Sequence, residues 1–96
     1  MEEVEIVELV LSVLKDAQKT SGRAWTDLGP KSTPIGVLDG FDSLSGLEAT
    51  MLIEQRLLEK TSVELPKVDS FFVTDDKALT LDETCKKIAA ALSGVA

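Results

Sequence analysis

This chain of 96 residues contains no histidine, and its one cysteine is Cys85. Each absence removes a class of chemistry. Without histidine, neither a Ser-His-Asp nor a Cys-His arrangement can activate a nucleophile, so autonomous catalysis is not expected. A single cysteine allows no intrachain disulfide, and with no histidine it supplies no donor set for a transition-metal site. Basic residues are the minority, ten against seventeen acids, for a formal net charge of −7. Nucleic-acid binding needs clustered Lys and Arg, so that class is set aside and partners with basic docking surfaces are favoured. No apolar run reaches the length of a membrane span. The acidic start MEEVEIVELV lacks the basic region and long apolar stretch of a secretory signal. The expectation is a cytoplasmic protein with one domain over residues 1–96, and Met1 suggests that it stands free.

What is present reads as helix. Between Glu2 and Gln18, Ile6, Val7, Val10, Val13 and Leu14 recur at helical spacing, widened by Val4, Leu9 and Leu11. Glu2, Glu3, Glu5 and Glu8 load the first turns, where acids complement the helix dipole. From Ser21 to Phe41 the chain is broken by four of its six glycines and two of its three prolines. So long a loop is expected to be tied down, with Trp25, Leu28, Ile35, Val37 and Leu38 as anchors. A second long helix is predicted over Ser43–Lys60. Pro66 ends the following connector, and Asp69 or Ser70 caps a short helical turn carrying Phe71 and Phe72 into the core. Thr80 and Glu83 form a capping box for a last helix with Leu81, Cys85, Ile88 and Leu92 inward and Lys86 and Lys87 outward, ending near Gly94. The predicted fold is all-α: a small four-helix bundle of three longer helices and one short one, without strands, with a long ordered loop between the first two.

The Ser43–Lys60 helix carries two apolar stripes. At about 100° per residue, Ala49, Ile53 and Leu57 fall on one side, and Leu44, Leu47, Met51 and Leu58 nearly opposite. Either the helix is central and covered on both sides, or the second stripe faces solvent and meets partners, with Glu48 and Glu54 around it. Two readings also stand for the segment DGFDSLSG, residues 39–46, where this helix begins. Asp42, Ser43 and Ser45 are all good N-caps, and Ser45-Gly46-Leu47-Glu48 fits a second capping box. Alternatively, the exposed Ser43 hydroxyl at a helix start accepts a phosphate-linked group, which the dipole favours there. With no local base, such a serine is a substrate for another enzyme.

The run GFDSLSGLEATMLIEQRL resembles the acyl carrier protein family, whose signature is a Gly-x-Asp-Ser-Leu segment opening an acidic helix. The resemblance extends to the order of helices and the long loop. It implies a 4′-phosphopantetheine arm on Ser43, attached from coenzyme A by a phosphopantetheinyl transferase, with Asp42 and Leu44 completing the motif. The arm's thiol then carries acyl groups as thioesters for fatty-acid, lipid or polyketide-type synthesis. It further implies partner recognition by Leu44, Leu47, Glu48 and Met51, docking to acyl-loading and acyl-processing enzymes with basic surfaces, and a monomer. This chain has Ser45 and Gly46 where fatty-acid carriers commonly place an acid first, Phe41 for a small residue, and Arg56 and Lys60 within the helix. Those departures point to a specialised member. A peptidyl or aminoacyl carrier, and an unmodified helical interaction module, are the alternatives. Cys85 reads as a buried, inert thiol, and neither acidic segment follows the ligand order of an EF-hand loop.

Overall fold

A computed structural model describes residues 2–62, 65 and 70–94. Their elements are α1 (Glu3–Thr20), a short turn of helix α2 (Pro34–Val37), α3 (Ser43–Thr61), the strands β1 (Val73–Thr74) and β2 (Lys77–Ala78), and α4 (Leu81–Gly94). Helix α1 is the hub, packing against both α3 and α4. Ile6, Val10, Val13 and Leu14 of its stripe are buried and Leu9 joins them, whereas Val7 is only partly buried against the core and Val4 stays exposed. Opposite it lie Ala49, Ile53 and Leu57 of α3 and Leu81, Cys85 and Ile88 of α4. Leu92 is only partly buried against this core.

Arg56 of α3 donates to Ser12 and, at 2.6 Å, to the carboxylate of Asp16. Near the other end of α3, Arg23 follows the last turn of α1 and reaches Ser45. The two helices are therefore antiparallel, with the start of α3 beside the end of α1.

The long loop is ordered by contacts at both ends. Gln18 lies buried on the α1 stripe, and its amide donates to the carbonyls of Ala24 and Asp39 at 2.9 and 2.8 Å. One side chain thus clips the two ends of the loop together. Mid-loop, the carbonyls of Ser32 and Pro30 accept from the N–H groups of Leu81 and Asp82, capping the start of α4. Trp25, Leu28, Ile35 and Leu38 pack on the core as expected, but Val37 is exposed. Lys15 lies 5.4 Å over the Trp25 ring, a second link from loop to α1.

Two expectations are corrected. The short helical element lies inside the loop at Pro34–Val37, where Ile35 (φ −71°, ψ 120°) and Gly36 (φ 100°, ψ −28°) have the dihedrals of a type II turn. Gly36 is required there by its positive φ. Where a helical turn was expected around Phe71 and Phe72, the chain instead leads into a hairpin, pairing Val73 with Ala78 and Thr74 with Lys77. Asp75 and Asp76 turn it at φ 51° and 63°, a left-handed pair that aspartate tolerates better than most residues. The fold is thus mostly helical with a small two-stranded sheet, and not strand-free. Phe71 and Phe72 are nonetheless fully buried, and Phe72 meets Phe41 edge to face at 5.6 Å. The predicted connector end at Pro66 and the cap at Asp69 lie outside the described residues.

The capping box of α4 is present. Glu83 N–H donates to the Thr80 hydroxyl at 3.1 Å, and Thr80 N–H donates to the Glu83 carboxylate at 2.9 Å. Lys86 is exposed as expected, whereas Lys87 turns inward to the Ser70 carbonyl at 2.6 Å and holds the hairpin base.

Candidate functional site

Asp42 caps α3. Its extended backbone (φ −111°, ψ −170°) turns the chain into the helix, and its carboxylate accepts from Ser45 N–H at 2.9 Å. Bonds from the Ser45 N–H and hydroxyl hold the Asp42 carboxyl below its ordinary value of 3.8, which makes it a weaker base. Ser45 is therefore the third helical residue and not a cap, so the second capping box with Glu48 is not formed. A carboxylate one residue ahead of Ser43 takes the free N–H first.

Ser43 is the first residue of α3 and is exposed. Its hydroxyl has no hydrogen-bond partner among the described residues. The nearby loop cation is Arg23, which donates to the carbonyl of Gly40 at 2.7 Å and to the Ser45 hydroxyl at 3.3 Å. Gly40 is necessary for that contact. Its φ is +63°, and a Cβ on it would lie 2.7 Å from the Arg23 Nε. Guanidinium does not deprotonate in proteins, so Arg23 is no base for Ser43, and Asp42 is already engaged. The hydroxyl is reachable, and neither Arg23 nor Asp42 is placed to activate it.

Behind Ser43 the helix packs closely on the core. A Cβ on the buried Gly46 would lie 3.3 Å from Cβ of Phe72 and 3.5 Å from Cδ1 of Ile35. One turn on, the Thr50 hydroxyl donates to the Gly46 carbonyl at 2.8 Å and accepts from Phe71 N–H at 2.9 Å. The first turns of α3 therefore rest on the loop and on the segment that precedes the hairpin.

The two stripes of α3 separate. Ala49, Ile53 and Leu57 are buried, whereas Leu44 (65%), Leu47 (42%) and Met51 (61%) are exposed, with Leu58 also outward. Leu44, Leu47, Glu48 and Met51 thus share the solvent side of the helix that begins at Ser43, and the doubly covered alternative is excluded. A cleft of about 620 Å³ runs between α1 and α3, lined by residues that include Asp42, Leu44, Ser45, Leu52 and Arg56. Nothing in the sequence alone signalled this cleft or the half-exposed Leu52. Gln18 and Arg23 were also missed, although Gln18 could have been noticed as a polar residue four places beyond Leu14 on the buried row.

Among the described residues, no three acidic, cysteine or histidine side chains come together to hold a metal ion. No helix among them is long and apolar enough to cross a membrane. Compared with family models, curated proteins and solved structures, the chain matches none.

Proposed function

We propose that the chain is a carrier domain of the acyl carrier type, a small helical bundle that takes a 4′-phosphopantetheine arm on Ser43 and presents its cargo to partner enzymes. The observation that carries this reading is the pairing of an exposed, unengaged Ser43 hydroxyl with an exposed apolar stripe on the same helix, one to eight residues further on. The surroundings of Ser43 fit the group. The free end of α3 and Arg23 favour a phosphodiester, and Ser43 is exposed.

On attachment, the Ser43 oxygen bonds to the phosphorus of the pantetheine phosphate in coenzyme A. The pyrophosphate bond breaks, adenosine bisphosphate leaves, and the hydroxyl proton passes to a base of the transferase. When bound, the group supplies a thiol that carries acyl chains as thioesters. The chain's own residues supply presentation: Asp42 sets the start of the helix, Gly46 and Thr50 fix it to the core, and Leu44, Leu47 and Met51 offer apolar anchors with Glu48 beside them. A net charge of −7 suits partners with basic surfaces. The domain is not itself an enzyme in this reading, and it works as a cytoplasmic monomer. Its cargo is acyl, or aminoacyl in the peptidyl-carrier variant.

The exposed stripe also favours a second reading, an unmodified interaction module. The two part on mutation. With coenzyme A and a broad-specificity transferase, intact mass rises for the wild type and not for Ser43→Ala. If the protein is instead an unmodified module, partner binding survives Ser43→Ala and is lost in Met51→Glu. In the carrier reading, Met51→Glu weakens partner docking by about tenfold or more, as loss of a central apolar anchor does, with helicity unchanged.

A further inference from the structure

We infer that Lys19 and Arg23 are specificity-determining residues of the docking surface. They admit a partner that sets an acidic or uncharged group against them, and they disfavour one whose docking face is basic throughout. This rests on the carrier reading and adds which partners the surface accepts.

The two cations flank the exposed stripe. Lys19 and Arg23 line the cleft between α1 and α3, and so do Leu44, Glu48 and Leu52 of α3. At about 100° per residue, Glu48 and Leu52 stand about 40° and 80° round the helix from Leu44. The surface therefore runs from the stripe at Leu44, through Glu48 and Leu52, to the wall that carries the cations. Arg23 is held there by Nη1, which donates to the Gly40 carbonyl and, at 3.3 Å, to the Ser45 hydroxyl. Ser45 follows Leu44 directly, and consecutive Cα atoms are about 3.8 Å apart, so Nη1 stays within about 10 Å of the Leu44 Cα. The screening length at 0.1 M salt is about the same, 10 Å. A partner that covers Leu44 therefore feels the guanidinium.

Charge sets this region apart from the rest of the chain. The cleft walls carry three cations and three acids, whereas the whole chain has a net charge of −7. The surface beside Leu44 is thus locally balanced, and the excess of acid lies elsewhere. Within the cleft, Arg56 is taken by Asp16 at 2.6 Å, and Asp42 accepts the Ser45 N–H. Lys19 and Arg23 have no carboxylate within ion-pair distance among the described residues. The two acceptors of Arg23 are uncharged, so its positive charge stays available to a partner.

Long-range attraction and fit at contact then depend on different groups. The net charge draws a basic partner in. Once it rests on Leu44, a base opposite Glu48 is matched, whereas a base opposite Lys19 or Arg23 meets a like charge. Such juxtapositions suppress wrong partners. A partner with a base for Glu48 and an acid for the cations is held in one orientation.

The test uses a phosphopantetheinyl transferase with a basic docking face as the partner, and reads its kinetics on the full-length apo protein. At about 0.1 M salt, Lys19→Glu should lower the transferase KM about threefold with kcat unchanged. Lys19→Gln should move it about half as far on a logarithmic scale. Arg23→Gln should act in the same direction, and Arg23→Lys, which keeps the charge, should not. The differences should vanish at about 1 M salt, where the screening length is about 3 Å. A merely structural role would give no such salt-dependent gain. Lys86→Glu makes the same change in net charge on α4, where Lys86 is exposed, and should leave KM within about 1.5-fold of wild type. A KM unchanged or raised in Lys19→Glu, or an equal fall in Lys86→Glu, would overturn the proposal. Absence of any mass gain in the wild type is a different result: it removes the carrier reading, and this specificity with it.

Discussion

At the scale of single residues, Asp42 and Gly46 govern how Ser43 is presented. Asp42 is an acid whose carboxyl is held down in the folded state by Ser45, so its contribution to stability is present above its ordinary value of 3.8. That contribution is lost as pH falls through the lower folded value. Glu83, held down in the same way by Thr80, adds to the trend. Urea midpoints should therefore fall on acidification below 3.8, and fall less steeply in Asp42→Asn, which keeps a capping oxygen but has no proton to gain. An equally steep loss in the variant would show that Asp42 does not govern this end of the helix. Gly46 makes the opposite demand, for space. Since a Cβ there already meets Phe72 at 3.3 Å, Gly46→Val should cost about 1–3 kcal/mol by overpacking, measured by urea unfolding. The small residue at position 46 thus has a local cause in the packing of Phe72. The neighbouring Ser45 supplies the hydroxyl that Arg23 reaches.

At the scale of elements, Thr50 couples α3 to the segment that precedes the hairpin. Thr50→Val keeps the side-chain volume but leaves the buried N–H of Phe71 without its acceptor. The cost should be about 1–3 kcal/mol in urea unfolding. A cost below about 0.5 kcal/mol would mean that a neighbouring group takes over the bond. Legibility in the sequence also divides by element. Helices α1, α3 and α4 were readable because each writes its buried stripe and its start in local residues: Ile6 to Leu14, Ala49 to Leu57, and the Thr80–Glu83 box. The hairpin was not, because its turn is made by Asp75 and Asp76 without the glycine that usually marks such a turn, and its strands are only two residues long. The turn at Pro34–Val37 was hidden among several Gly and Pro positions that all read as loop. Of the site, Asp42 and Ser43 could be read as residues at a helix start and through the resemblance of their segment, and the two stripes of α3 from spacing, which left open whether the second was covered. The cleft could not. It is lined by residues of α1 and α3 that lie far apart in the sequence, and long-range contacts such as Arg56 with Asp16 bring those helices together.

At the scale of the whole molecule, one core serves two unequal sides. The α1–α4 side, the loop and the hairpin bury Phe71, Phe72 and Cys85, while α3 turns Leu44, Leu47 and Met51 to solvent. A radius of gyration of 12.4 Å is what a single compact domain of this length should have. The division explains how a small domain can hold a serine at its surface and keep an apolar stripe free beside it. In the carrier reading we propose, the chain contributes position, charge and contact, and the chemistry is left to a modifying enzyme. The most direct measurement is the intact mass of the purified protein after incubation with coenzyme A and a phosphopantetheinyl transferase, run beside Ser43→Ala. The carrier reading predicts the mass gain of one phosphopantetheine group in the wild type and none in the variant. An unchanged wild-type mass, or a gain that persists in Ser43→Ala, would contradict it.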